Sequence, residues 1–291
     1  MDHAARLAIT RLAIIRAAYA KQVLASVGIG DRRVEATFAT VERERYLGPG
    51  PWPILRASGY VPTPDPDPVY LYDDILVGIV PERGLNNGMP SYHAPLIASA
   101  ALAAGEHVVH VGAGVGYYTA IMAHLVGDSG KVTAIEFDPA LAKRAAENFP
   151  SASNVRVIQG DGSTVPFDDA DVIYVNAGAT RPADCWLDRL ADGGRLILPL
   201  TAGTTLPPAG QVARHGAVFR IERRGDDYLA QWISAVGVYP CEGGRDAASE
   251  AALDRALRAG GWEKVTRLLR TGDLPDEQCW LRAPGWALTY Y

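Results

Sequence analysis

Between His107 and Leu200 short β-branched runs alternate with helical patterns, and this alternation constrains the fold more than any other feature of the chain. VVHVG, KVTAIEFD, NVRVIQGD, DVIYVNAG and RLILPL each read as a strand bounded by Gly, Asp or Asn. YYTAIMAHLV and ALAKRAAENF, between the first three, read as helices. Strand–helix–strand connections of this kind are right-handed crossovers, so they predict an α/β fold with a doubly wound, mostly parallel sheet. Two further strands, AVFRIERR and YLAQWISAVGVYP, face each other across Gly225-Asp226-Asp227 as a hairpin, which brings the expected sheet to seven strands.

The flanks divide the 291 residues into three parts: a helical segment over 1–84, the sheet region over 85–245, and a C-terminal extension over 246–291. In the first part Leu12, Ile15, Tyr19 and Val23 fall at helical spacing and mark one buried face. A break at Gly28-Ile29-Gly30-Asp31 precedes a second helix, expected from Arg32 to Tyr46. The prolines and glycines between Gly48 and Pro68 predict a linker or loop without regular structure. A second break is expected over 201–210, and the extension reads as helix from Ala247 to Arg270 and irregular thereafter.

Charge and cysteine content exclude several classes. There are 28 basic and 33 acidic residues, a net charge of −5, and no basic stripe of the kind duplex nucleic acid demands. Cys185, Cys241 and Cys279 are odd in number and far apart, which argues against a disulfide framework and against a zinc site. Arg11 and Arg16 interrupt the apolar stretch of the first helix, and no window reaches the length of a membrane span. A soluble cytoplasmic protein without metal is expected.

Gly112, Gly114 and Gly116 stand between the first strand and the first helix of the alternating region, where a backbone must turn sharply and let a ligand approach. A dinucleotide loop would carry a third glycine at the position of Tyr117; GxGxG instead suits a cofactor with no pyrophosphate, namely S-adenosylmethionine. Glu136 ends the second strand, placed to accept hydrogen bonds from both ribose hydroxyls. Asp161 ends the third strand, placed for the adenine amino group, with the Gly162 amide beside it for the ring. Asn176 ends the fourth and would floor the methionine end. A tight turn with no ligand accounts for the glycines alone, but not for acids at the ends of successive strands.

With these residues in place, the chain resembles the protein-L-isoaspartate O-methyltransferases, over roughly residues 15–245. The resemblance runs through AKQVLASVGIGDRRVEATFATVERERYLGP, YLYDDILVGI, QGDGS, VNAGA, GGRLILPL and GVYPCEGG, and the YxD pattern of the second segment is its more specific part. It implies a Rossmann-like class I methyltransferase that moves a methyl group to a protein or peptide carboxylate. It also implies a role for Ser91 at the transferring methyl group, within Met89-Pro90-Ser91-Tyr92-His93. There Met89 replaces the family's threonine, His93 its proline, and His110 the acid before the glycine loop.

A carboxylate nucleophile is already ionised and needs no general base, and no acid stands beside Ser91 in the sequence to repel it. If the acceptor were instead a hydroxyl or amine, His93 is the candidate base. His110 reads as a core or pocket-wall residue, and Tyr72 and Asp73 as substrate contacts or ordinary loop packing. The aromatics Trp262, Trp280, Trp286, Tyr290 and Tyr291 read as a packed extension or a subunit contact. The alternatives are a methyltransferase for another peptide or a small metabolite, a nicotinamide oxidoreductase, and a non-catalytic scaffold. A ligand that binds only the native state raises its melting temperature. S-adenosylhomocysteine is therefore expected to raise Tm, and NAD at equal concentration to leave it unchanged. A shift produced by NAD alone would defeat the methyltransferase reading.

Overall fold

The computed structural model describes residues 3–149, 154–203, 216–271 and 273–291. The alternating region forms as expected: β5 (His107–Val111), α5 (Tyr117–Val126), β6 (Lys131–Glu136), α6 (Pro139–Asn148), β7 (Val155–Gln159), β8 (Ala170–Val175), α7 (Asp184–Asp188) and β9 (Leu190–Thr201) follow one another. Before them lie α1 (His3–Ser26), α2 (Arg32–Thr40), α3 (Glu44–Leu47), the short strands β1 (Pro53–Arg56), β2 (Gly59–Pro62), β3 (Gly78–Val80) and β4 (Leu85–Asn86), and α4 (Pro90–Ala100). After them come the hairpin β10 (Gly216–Arg224) and β11 (Asp227–Ala235), α8 (Ala247–Ala259), and β12 (Arg267–Leu269), β13 (Cys279–Ala283) and β14 (Trp286–Thr289).

The five strands β7, β6, β5, β8 and β9 pair in parallel in that spatial order, with β10 and β11 added antiparallel. These are the seven expected strands. The order reverses at β5, whose neighbours are β6 on one side and β8 on the other, and this opens a crevice at their carboxyl ends. All five residues of β5 are buried, as a strand covered on both faces requires. On one face Tyr117, Ile121, Met122 and Val126 of α5 pack with Leu96 and Ile97 of α4 and with Tyr19 and Val23 of α1. Leu12 and Ile15 lean partly buried on the same cluster.

Three expectations are corrected. The helix from Arg32 breaks at Thr40 and resumes only over Glu44–Leu47, because Arg43 turns inward, where it is fully buried. The Gly48–Pro68 stretch holds the β1–β2 hairpin, with Pro53 opposite Pro62 at its open end. Proline at the end of a short two-stranded ribbon sacrifices little of the ladder, so its lack of an N–H is tolerated. In the extension the helix expected to Arg270 ends at Ala259, β12 occupies part of the remainder, and the tail is not irregular: β12 pairs on β11, β14 on β12 and β13 on β14, so the sheet reaches ten strands. The break over 201–210 lies mostly outside the described residues.

The extension shares a core with the sheet. Leu268, Trp280, Trp286 and Leu288 are buried with Phe219 and Ile221 of β10, and the Trp280 and Phe219 rings lie 5.5 Å apart. Truncating a side chain there leaves a cavity that the flanking strands cannot close. Leu268→Ala is therefore expected to lower unfolding free energy by about 2–5 kcal/mol, the range for such core truncations. Denaturant titration measures it, and a loss below about 1 kcal/mol would show that the extension does not unfold with the sheet.

Candidate active site

The crevice is framed by backbone bonds between the ends of four strands. The Gly112 and Ala113 amides both donate to the Ile135 carbonyl at 2.9 and 3.2 Å, the Asn176 amide to Val111 at 2.8 Å, and the Gly160 amide to Glu136 at 2.9 Å. Gly112, Gly114 and Gly116 take φ of 78°, 58° and 94°, left-handed values at which a side chain is strained. Space also demands glycine: a Cβ on Gly112 would stand 3.2 Å from the Asn176 carbonyl oxygen, and one on Gly116 2.6 Å from the Phe149 ring. Tyr117, where a dinucleotide loop would have glycine, is buried against Tyr46 and Tyr118.

Glu136 is buried at the end of β6, and one carboxylate oxygen accepts from the Gly114 amide at 2.7 Å while the other accepts from Asp138 at 2.9 Å. Burial raises its pKa, and the two amide bonds oppose that shift. One Asp161 oxygen accepts from the Ser163 amide and hydroxyl at 2.8 and 2.7 Å. Gly162 packs so closely on Val111 that a Cβ would approach it to 2.4 Å, and its carbonyl accepts from the Trp186 indole at 2.7 Å. The Asn176 amide group donates to the Gly112 carbonyl at 3.3 Å. The structure thus brings the three glycines, Glu136 and Asn176 to one point, with Asp161 and Gly162 following the adjacent strand.

Sequence reasoning missed the elements that roof this crevice. The β3–β4 hairpin reaches over the glycine loop, with Ile79 3.8 Å from where a Cβ on Gly114 would be. Arg83 pairs with Asp138, and Arg144 donates to the Ile79 carbonyl at 3.3 Å. From the other side Tyr239–Gly244 crosses Gly178, whose amide donates to the Tyr239 carbonyl at 2.7 Å while the Cys241 amide donates back to Gly178 at 2.9 Å. Gly243 then lies directly on the Asp161 carboxylate, where a Cβ would fall 1.9 Å from the free oxygen. The Tyr239 hydroxyl donates to the Gly84 carbonyl and joins the two halves of the roof. The signal in the sequence was the GVYPCEGG segment, whose glycines had no other use.

Ser91 is the second residue of α4, and the turn before it packs on the start of α5 through the Tyr118 hydroxyl, which donates to Gly88 at 3.2 Å. An acid does stand beside Ser91: the Asp74 carboxylate accepts from the Ser91 amide at 2.8 Å, across 17 residues of sequence. His93, two residues on and turned inward, is 1 % exposed, its Nδ1 2.8 Å from the Tyr174 hydroxyl and its ring stacked 3.6 Å from that of Tyr118. Burial, reinforced by His110 and Arg43, holds its pKa well below that of a free histidine. His110 is buried against Thr119 at 2.8 Å, and desolvation pushes its pKa down to about 3. The Tyr72 hydroxyl donates to Glu44, so that ring is committed to the scaffold. Among the described residues no three metal-ligating side chains come together.

A glycine turn at the carboxyl end of the first parallel strand, with an acid ending the second, fits a nucleoside cofactor and leaves no phosphate cradle. Fold and crevice together are those of a Rossmann-like class I methyltransferase. The family model of protein-L-isoaspartate(D-aspartate) O-methyltransferases matches residues 58–229. A Brucella anthropi protein-L-isoaspartate O-methyltransferase is 33% identical over 61% of this chain and 75% of its own. A Rhodopseudomonas palustris protein-L-isoaspartate O-methyltransferase 1 is 30% identical over 86% and 91%. A solved Plasmodium falciparum structure, described as a protein-L-isoaspartate O-methyltransferase in complex with S-adenosyl-L-homocysteine, superposes with a TM-score of 0.58 at 20% identity. It covers 78% of this chain and 97% of that one, and this likeness shows the fold. The chain belongs to the protein-L-isoaspartate O-methyltransferase family.

Two measurements check the site. Removing either acid strips hydrogen bonds from a bound polar group, so Glu136→Ala and Asp161→Ala are each expected to weaken S-adenosylhomocysteine binding by about 1–3 kcal/mol. Calorimetric titration reads this, and wild-type affinity in either variant would remove that residue from the pocket. The second is acid stability. His93 and His110 are neutral when folded and take up protons on unfolding, so stability is full above the unfolded histidine pKa and falls as pH drops toward 3. The slope is about 1.4 kcal/mol per pH unit for each histidine, and His110→Asn is expected to flatten it by one proton in Tm measured against pH.

Proposed function

We propose that this chain is an S-adenosylmethionine-dependent carboxyl O-methyltransferase of the isoaspartyl type, acting on protein or peptide carboxylates. The observation that supports the reading is the Tyr118–Gly88 bond, which ties the turn before Ser91 to the first turn of α5, the helix that the glycine loop leads into. Gly112, Gly114, Gly116, Glu136, Asp161, Gly162 and Asn176 are the residues we assign to the cofactor. When bound, the cofactor supplies an electrophilic methyl group on a sulfonium, which is displaced in line. One carboxylate oxygen of the acceptor forms the new C–O bond, the old C–S bond breaks toward sulfur, and no proton moves.

The protein's part is therefore to align the acceptor and exclude water, which can supply several kcal/mol of the barrier. We assign Ser91 the single hydrogen bond that holds the acceptor carboxylate. His93 stays neutral and spends Nδ1 on Tyr174, so we give it a supporting place behind Ser91 and no proton to carry. A cytoplasmic site of action accords with three free cysteines, and no described helix is long and apolar enough to cross a membrane.

Labelled S-adenosylmethionine offered with an isoaspartyl peptide, beside its normal aspartyl twin, tests the reading. Label is expected on the isoaspartyl peptide only, as an ester that hydrolyses in mild base, at a rate level across the histidine range of about pH 5.5–7.5. Ser91→Ala is expected to lower turnover roughly tenfold or more, the worth of one hydrogen bond to a charged group, with cofactor binding intact. A base-stable product, or a rate that falls as histidine protonates, would move the acceptor to a hydroxyl or amine on a peptide or small metabolite.

A further inference from the structure

α4 lacks the side-chain cap that a helix start normally carries. Its N-cap residue is Met89, whose side chain makes no capping bond; Pro90 has no amide hydrogen, and Tyr92 and His93 donate to the Met89 carbonyl at 3.1 and 3.2 Å, so the Ser91 amide is the one in this turn with no local partner. The acceptor arrives instead from a distant loop: Asp74 takes the Ser91 amide at 2.8 Å. A carboxylate there also suits the positive end of the helix dipole. Asp74 itself is partly exposed in a loop with no regular structure, and an anchor that moves cannot place a serine.

Arg43 supplies the rigidity. Its guanidinium is fully buried and donates to the Leu71 carbonyl, to Asp73 at 3.1 Å and to Ile75 at 3.4 Å, the carbonyls on either side of Asp74. Among the described residues no carboxylate lies within ion-pair distance of Arg43; its other neighbours are the faces of Tyr19 and Tyr117, 5.8 and 5.6 Å from the ring centroids. Burying an unpaired cation is costly, and the fork is repaid only while the three carbonyls keep their places. The planar guanidinium therefore fixes the backbone of 71–75, and that backbone aims the Asp74 side chain. Tyr72, bonded to Glu44, holds the same loop from its outer side.

We propose that Asp74 is a positioning residue for methyl transfer: fixed by Arg43, it holds the first turn of α4 so that Ser91 meets the acceptor carboxylate. This rests on the role assigned to Ser91 in the preceding subsection. The bond is made by the carboxylate oxygen to a backbone amide, so what matters is an acceptor at that point.

Four variants in the full chain test it, with turnover on the isoaspartyl peptide and cofactor affinity measured separately. Asp74→Ala is expected to lower kcat roughly 10–100-fold, the cost of a misplaced group in an otherwise intact site, with S-adenosylhomocysteine affinity unchanged. Asp74→Asn, whose amide oxygen still accepts, is expected to recover kcat to within about threefold of wild type. Adding Asp74→Ala to Ser91→Ala is expected to cost nothing further, because both act through one group. Met89→Ser combined with Asp74→Ala gives α4 a cap of its own, and is expected to restore Tm but not turnover. Full recovery of turnover in that last variant, additive losses with Ser91→Ala, or an Asp74→Asn as poor as Asp74→Ala would each overturn the proposal. Hydrogen exchange over residues 89–95 gives a reading free of activity: faster exchange in Asp74→Ala but not in Asp74→Asn is expected, and equal exchange in both would overturn it. If the wild type methylates no isoaspartyl peptide, the acceptor assignment fails, while exchange still decides whether Asp74 holds the helix.

Discussion

The crevice exists because parallel strands end with carbonyls that have no ladder partner, and the loops leaving those strands use them. Ile135 takes two amides of the glycine turn, Val111 takes Asn176, and Glu136 takes Gly160. Four strand ends are thereby drawn to one depth, and the left-handed glycines follow from that geometry. A side chain at Gly112 would press on the carbonyl oxygen of Asn176, whose amide closes the end of β5. Glu136 is bound into the same network, since it spends both oxygens on amides that belong to the loop and to the start of α6.

Around this frame the polar groups are committed before any substrate arrives. Arg43 donates to three carbonyls, Tyr72 to Glu44, and His93 and His110 pair through Nδ1 with Tyr174 and Thr119, while Arg43 Nε and His110 Nε2 stay buried with no hydrogen-bond partner among the described residues. Methyl transfer to an already ionised carboxylate has no proton to relay, and a site built for it can hold its histidines neutral and dry. Rigid alignment is the scarce resource, and it is bought with buried polar side chains that serve the backbone.

The regular part of the fold was legible because its signals are local. β5 is a short, fully buried strand with valine at three of its five positions, and α6 begins at Asp138-Pro139 with a side-chain cap, so pattern and packing agree. Gly112, Gly114, Gly116 and Glu136 could be placed because each stands at the end of a strand that was itself visible. The failures share one cause, long-range partners. Nothing within ten residues of Arg43 says that it will turn into the core, and the carbonyls it serves lie some thirty residues on. Asp74 was invisible beside Ser91 for the same reason, with 17 residues between them. The short strands β12, β13 and β14 lack a strong alternating pattern and form only because β11 leaves an edge to extend. The β1–β2 hairpin was hidden by its prolines, which the pattern reads as breakers and the open end of the short ribbon accepts.

The two covers of the crevice come from distant parts of the chain, residues 78–86 and 239–244, and meet at Tyr239 and Gly84. A ribosome delivers them far apart in time. When Glu136 emerges, the glycine turn and its acid can already assemble from β5 and β6, yet the surface above Asp161 stays bare until another hundred residues have followed. Throughout that interval the hollow stands open to solvent at the Asp161 carboxylate, a group that water solvates well. A late-closing site of this composition is safe to leave open, whereas one lined with leucines would invite misassociation before its cover was made.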